Sequence, residues 1–336
     1  MKKASLFLSC DWGTSSFRLR LVEEPYKVLV EEKNDNGVTA IHDKWKQTGK
    51  QEEERLDYYQ AFLLKQIMQL GEKAGRSLNG IPMILSGMAS SAIGMLELPY
   101  KQSPFGADGT DLPLHTLIPT KSFPHEILMV SGIRSDDDVM RGEEIQLVGS
   151  YDSNTTDSTL YIFPGTHSKH IRVEKGRAVE FQTYMTGELF QLLSTKSILS
   201  TTVERPNGDF GDEHWQCFVE GIEDSESFNP LRAFFFARTN HLFQKMSKTE
   251  NFFYLSGLLI GLELHELNAD TGLPVILVTD AALKPFYAIA LQQLNLDYNL
   301  HIVDVDKAIV KGHYKVFELS RARAVTQSFS KPLEHG

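Results

Sequence analysis

The sequence predicts an α/β protein of two related domains facing a cleft, and three observations carry that reading. The chain has 336 residues, long for one hydrophobic core and comfortable for two. A strand–turn–strand–turn–strand pattern near the N-terminus returns about 150 residues later, each time with a Gly-Thr turn between its first two strands. Between and after the two copies, helical spacing alternates with short apolar strands, the order of an α/β fold.

In the first copy, residues 5–10 form an apolar run that stops at Asp11-Trp12-Gly13, residues 17–23 alternate, and residues 27–32 are β-branched with acidic neighbours. Glu52-Glu53-Glu54 reads as a solvated helix start. Residues 57–70 then carry apolar side chains at helical spacing, with Gly71 and Gly75 as breakers. Residues 81–85 are a buried strand opening into Ser86-Gly87-Met88, and the Pro- and Gly-rich stretch 98–124 reads as loops. In the second copy, the apolar run 159–163 ends in Pro164-Gly165-Thr166, residues 169–174 alternate, Lys175-Gly176 turns, and 178–184 is a third strand. Helices are predicted from 187 to 193, 215 to 222, 228 to 243, 251 to 267 and 282 to 294. Strands are predicted at 274–279 and 301–305.

Hydrophobic residues make up 41% and charged residues 23%, an ordinary globular composition. A net charge of -10 argues against a nucleic-acid partner, which needs a positive stripe to displace counterions. Such a chain must gather positive potential locally to hold an anion. Two distant cysteines, Cys10 and Cys217, read as cytosolic thiols rather than a disulfide framework. Residues 1–10 superficially resemble a lipoprotein signal, but the apolar stretch is shorter than the roughly 7–15 residues a signal needs. No stretch approaches the ~20 apolar residues of a membrane span, so a cytoplasmic location is expected.

Three stretches could carry chemistry. In Asp11-Trp12-Gly13-Thr14-Ser15-Ser16-Phe17-Arg18, a strand ends in Asp and turns through Gly and three hydroxyl residues, whose N–H and hydroxyl groups can surround phosphate oxygens. Asp11 could hold Mg2+ against phosphates, and Arg18 could return toward them. A plain hairpin with a polar turn is the competing reading. Pro164-Gly165-Thr166-His167-Ser168-Lys169 holds the same place in the second copy, with Gly165 and Thr166 at the turn and His167 and Lys169 as cations. Arg134 to Glu144 mixes acids and arginines, which suits either a phosphoryl-transfer site or a charged helix cap. P-loop, Rossmann, zinc and nucleophile-elbow patterns are absent from the sequence.

Taken in order, DWGTSSFR (11–18), SGMASSAIGMLELPY (86–100), DVMRGEEIQLVG (138–149), PGTHSK (164–169), TYMTGELFQLL (183–193) and SGLLIGLEL (256–264) resemble the 2-dehydro-3-deoxygalactonokinase family. That family belongs to the sugar kinase and actin-like ATPase superfamily. The last ~70 residues match it more weakly. The resemblance implies two actin-like (ribonuclease H-like) ATPase domains around a nucleotide cleft. These would be 1–128 with the first phosphate loop and sugar-acid site, and 129–336 with the second phosphate loop and adenosine site. It implies ATP and Mg2+ as cofactors and phosphorylation of the 6-hydroxyl of 2-dehydro-3-deoxy-D-galactonate. Gly13, Thr14, Ser15, Ser16, Arg18, Gly165, Thr166, His167 and Lys169 would bind phosphates. The sugar acid would lie against Met88, Ser91, Glu97 and Tyr100, with Arg141 or backbone amides near its carboxylate. Asp138 and Glu143 are candidates for the general base, with Asp11 as metal partner and alternative base. A homodimer is compatible with the sequence.

The chain departs from the family pattern in three places, one of them the poorly matching stretch Val303-Asp304-Val305-Asp306-Lys307-Ala308. Met95 stands where the family usually has Trp. Thr279-Asp280-Ala281, expected to meet adenosine, replaces a Gly-rich turn and brings a carboxylate toward a polyanion. A shifted acceptor and a non-catalytic sensor therefore stand as alternative readings.

Overall fold

The computed structural model describes residues 5–153, 157–206, 210–270, 272–297 and 299–329; residues 1–4 of the signal-like start lie outside them. Contacts divide the chain into two compact units. One takes in Met1–Thr155, Glu174–Glu180 and Val305–Gly336, the other Thr156–Val173 and Phe181–Asp304.

The first unit opens with β1 (Leu6–Trp12), β2 (Phe17–Glu23) and β3 (Lys27–Asn34), followed by α1 (Val38–Gln47) and α2 (Arg55–Ala74). The acidic residues 52–54 form a 3-10 turn leading into α2, whose Tyr59, Leu63, Ile67 and Leu70 face the core. Gly75 ends that helix in the left-handed conformation at φ 63°. Then come β4 (Met83–Gly87), β5 (Lys101–Gln102), β6 (Phe105–Gly106), β7 (Leu114–Leu117), β8 (Ile127–Val130), β9 (Ile133–Arg134), β10 (Val139–Met140) and α3 (Glu143–Ser150). The main sheet runs β3-β2-β1-β4-β8-β7, with β2 antiparallel to β1, and with β4 parallel to both β1 and β8. Its core packs Trp12, Phe17, Tyr59, Leu63 and Met95.

The second unit contains β11 (Ser158–Phe163), β12 (Ser168–Glu174), β13 (Arg177–Tyr184), α4 (Thr186–Lys196), α5 (Asp212–Ser227), α6 (Pro230–Leu242), α7 (Lys248–Leu264), β14 (Val275–Thr279), α8 (Lys284–Gln293) and β15 (His301–Asp304). Its strands run β15-β14-β11-β12-β13, with β14 parallel to β11 and to β15. At its start, β13 pairs Arg177 and Ala178 with β6, residues that belong to the first unit. The chain returns to the first unit as α9 (Val305–Phe329), which buries Ala308, Ile309, His313, Val316 and Phe317.

Both sheets therefore place a three-strand meander beside two strands parallel to its first member. This is the duplicated pattern read from the two strand–turn repeats. Spacing does not predict α1, α3 or α9. Helix α1 buries only Val38, Ile41 and Trp45, α3 has eight residues behind a charged start, and α9 opens on Val305-Asp306-Lys307. The stretch 98–124 has no helix but does contain the short strands β5, β6 and β7.

Candidate active site

The first Gly-Thr loop joins β1 to β2. Asp11, next to last in β1, pairs directly opposite Arg18, so their side chains share a face, and Arg18 Nη1 lies 3.4 Å from Asp11 Oδ2. Burial raises the pKa of Asp11, and Arg18 and Arg20 oppose that shift. Thr14 and Ser15 are exposed, and the Gly13 N–H donates to the Ser16 carbonyl at 2.9 Å to close the turn. Helix α1 backs the loop: Val38 N–H donates to Gly13 C=O at 2.9 Å and Thr39 N–H to Thr14 C=O at 3.2 Å. The fit is close enough that a Cβ on Gly37 would stand 2.3 Å from the Thr14 carbonyl oxygen.

Two glycines bring the MRGEE stretch up to this loop. Gly87, at φ 88°, has no room for a side chain: a Cβ would lie 2.7 Å from Trp12 O and 3.5 Å from Asp11 Oδ1. Gly142, at φ 115°, in turn abuts Gly87 Cα at 3.6 Å from its own would-be Cβ. Glu143 follows in the first turn of α3 and accepts the Arg141 N–H at 3.1 Å. Asp138 lies instead in the turn between β9 and β10, where its Oδ1 accepts Val139 N–H at 2.6 Å.

The expected substrate residues fall into two groups. Arg141 stacks 4.2 Å over the Tyr100 ring, and its Nη1 donates to the Ser90 carbonyl and hydroxyl at 2.6 and 2.5 Å. Ser91 is buried and donates to Met88 O at 2.7 Å, while Glu97 is exposed. Met95 sits in the core at 1% exposure.

The second loop joins β11 to β12. Gly165 N–H turns onto Ser168 Oγ at 3.3 Å, Thr166 is exposed, and Lys169 is buried. His167 Nε2 meets Glu188 Oε2 at 2.5 Å. Glu188 N–H donates to Thr166 C=O at 3.0 Å, so the start of α4 backs this loop as α1 backs the first. Beside it opens a cavity of about 320 Å3, walled by Phe190, Phe252, Leu259, Leu283 and Phe286, with Thr186, Gly187 and Tyr287 at the loop end. That size and apolar lining suit a nucleoside. Thr279, Asp280 and Ala281 are not among its lining residues. The Asp280 carboxylate turns away to accept the N–H groups of Ala282 and Leu283 at 3.0 and 2.9 Å, capping the approach to α8.

Sequence reasoning missed four buried groups. His313 bridges Ser9 and Ser86 at 2.7 and 2.9 Å, and burial presses its pKa down to about 3. Glu144 accepts Gly142 N–H at 2.7 Å, and burial, helped by Glu143, lifts its pKa to about 8. Arg20, 3% exposed, is gripped by Glu31 at 2.9 Å and Asp306 at 2.5 Å. Glu263 lies fully inside the second unit. Only Glu263 carried a signal, as a lone ionisable residue within an apolar run; the other three sit among charged neighbours.

Among the described residues no three His, Cys, Asp or Glu side chains converge on one point. Asp11 nevertheless fits Mg2+, which takes one or two carboxylates when phosphates and waters fill its remaining positions. Nor is any helix among the described residues long and apolar enough to cross a membrane.

The family described as 2-keto-3-deoxy-galactonokinase matches residues 11–316. A Rhizobium meliloti (strain 1021) protein assigned as 2-dehydro-3-deoxygalactonokinase DgoK1 is 32% identical over 321 residues, covering 93% of this chain and 96% of its own. The 2-dehydro-3-deoxygalactonokinase of Escherichia coli (strain K12) is 27% identical, covering 87% and 91%. A crystal structure from Sinorhizobium meliloti assigned to the same kinase superposes with a TM-score of 0.73 at 28% identity, covering 94% of this chain and 99% of that one. With both Gly-Thr loops and the MRGEE stretch inside the matched region, the chain belongs to the 2-keto-3-deoxy-galactonokinase family.

Proposed function

We propose that the protein transfers the γ-phosphate of ATP to the 6-hydroxyl of 2-dehydro-3-deoxy-D-galactonate. The family match over residues 11–316 carries this reading, because it takes in every stretch assigned a chemical role here. Phosphates are assigned to Gly13, Thr14, Ser15, Ser16 and Arg18 in one loop and to Gly165, Thr166, His167 and Lys169 in the other. The nucleoside goes to the apolar cavity beside the second loop. Asp11 is the residue that would hold Mg2+, which when bound neutralises charge on the β- and γ-phosphates.

Glu143 is the better candidate for the base. It stands at the end of the chain of close contacts from Asp11 through Gly87 to Gly142, whereas Asp138 caps its own turn. In the transfer, Glu143 takes the hydroxyl proton as the new P–O bond forms and the bond to ADP breaks. The sugar acid is assigned to the 88–100 segment, with Arg141 held on Tyr100 as its cationic wall. The reading puts the protein in the cytoplasm, where ATP is available.

The test is ATP consumption with 2-dehydro-3-deoxy-D-galactonate, its gluconate epimer and no acceptor. Turnover that prefers the galactonate compound is expected. ATP binding without turnover on either acid would refute the acceptor, and absence of ATP binding would refute the kinase reading.

A further inference from the structure

Behind the second loop, Glu263 of α7 is 2% exposed, and both of its carboxylate oxygens are in use. Oε1 accepts from His170 Nε2 at 3.0 Å; Oε2 accepts from Tyr287 Oη at 2.7 Å and from the Thr186 hydroxyl. The three donors come from β12, α8 and the first turn of α4. Tyr287 Oη also lies 3.1 Å from Ser168 Oγ, which receives the Gly165 N–H. Burial, with Glu263 next, pushes the Tyr287 hydroxyl well above its ordinary pKa. Tyr287 therefore keeps its proton and donates it to Glu263, so Ser168 must donate to Tyr287. The chain runs one way, from Gly165 N–H through Ser168 and Tyr287 to the carboxylate, each bond polarising the next.

We infer that Glu263 is a positioning residue for the nucleotide, fixing the Thr186 and Tyr287 side chains that line the cavity and, through Ser168, the backbone of Gly165. This rests on the nucleotide reading of that cavity. Helix α7 is buried along nearly its whole length, and an apolar side chain would fill this position without desolvating a charge. What the carboxylate adds is direction. Two of its three partners face the cavity, and the relay through one of them ends on the phosphate loop.

The test compares Glu263→Gln, Tyr287→Phe and the double variant with wild type. It measures KM for ATP, KM for the sugar acid, and the rise in Tm on adding ADP. A Gln amide must point an N–H2 group at one set of donors. KM for ATP is expected to rise about tenfold or more with KM for the sugar acid unchanged, and the ADP shift should shrink. The double variant should be no worse than the poorer single one. A lowered Tm with KM for ATP and the ADP shift both unmoved would overturn the inference and leave a purely structural carboxylate. If Glu263→Gln does not fold, Tyr287→Phe decides alone, since it keeps the ring and removes only the relay hydroxyl. Because the ADP shift needs no acceptor, failure of the sugar-acid reading leaves this test intact. A wild type that shows no ADP shift would overturn the nucleotide reading and this inference with it.

Discussion

In the first Gly-Thr loop, Gly13 N–H closes onto the Ser16 backbone, while in the second, Gly165 N–H turns onto the Ser168 side chain. Both loops are backed by the start of a helix, through Val38 and Thr39 in one and Glu188 in the other. Their charges are disposed differently. The first carries its carboxylate, Asp11, at the strand end beside the turn, paired with Arg18. The second keeps its carboxylate, Glu263, a hydrogen-bond relay away from the loop. One scaffold thus supports two kinds of Gly-Thr loop, one with a carboxylate at its edge and one tied by a hydrogen-bond relay to a buried carboxylate. An acidic group placed for metal chemistry must reach the ligand, whereas one placed to orient donors works best out of water.

The comparison breaks most visibly at Asp11. Asp11→Asn is expected to cut kcat by about 10²–10³ and to leave Tm unchanged or slightly raised, since it removes a carboxylate that burial disfavours. In the same assay Glu143→Gln should lose about 10² or more and Asp138→Asn only a few-fold. Equal losses at Asp138 and Glu143 would undo the choice of base. Steady-state kinetics with melting curves on each variant reads all three.

A smaller effect tests whether the loops are equivalent. A Cβ on Gly37 would stand 2.3 Å from Thr14 O, and one on Gly187 2.5 Å from Gly165 O, so each must push its loop backbone. Gly37→Ala and Gly187→Ala should each raise KM for ATP by about tenfold. A response at only one of them would show that the loops share a topology and not a role.

The smallest expected effect concerns pH and the first unit alone. Glu144 has a folded pKa of about 8 against an ordinary 4.5, so its stabilising contribution is complete below 4.5 and is lost as pH rises through 8. His313, depressed to about 3 from 6.5, behaves oppositely: its contribution is present above 6.5 and lost as pH falls toward 3. Of these two groups only Glu144 contributes a slope above pH 7, at up to about 1.4 kcal/mol per pH unit. Melting temperatures of wild type should therefore fall more steeply between pH 7 and 8 than those of Glu144→Gln. Parallel curves would mean that Glu144 does not titrate in this window.

The strands of both meanders were legible because a half-buried strand writes its period into the sequence and its turn into Gly and Thr. Residues 17–23 appear as β2 with the same bounds. The motif glycines were legible too, and the structure supplies the reason for two of them: Gly87 has no room for a side chain, and Gly142 adopts φ 115°. Helix α9 was not legible, since its buried face becomes meaningful only against α3 and the β1–β4 part of the sheet, elements far away in sequence. A boundary in sequence is also a single cut, whereas the contacts return residues 174–180 and the helix Val305–Phe329 to the first unit.

What the sequence determined by itself was local: strand period, turn chemistry, the two Gly-Thr loops and the family they mark. Tertiary structure decided which charges meet. That Asp280 caps α8, that Asp11 faces Arg18 with Gly87 at its back, and that Glu263 gathers His170, Thr186 and Tyr287 all depend on long-range contacts. A carboxylate's role is set by the donors that surround it, and in a folded chain those donors come from elements that are not neighbours in sequence.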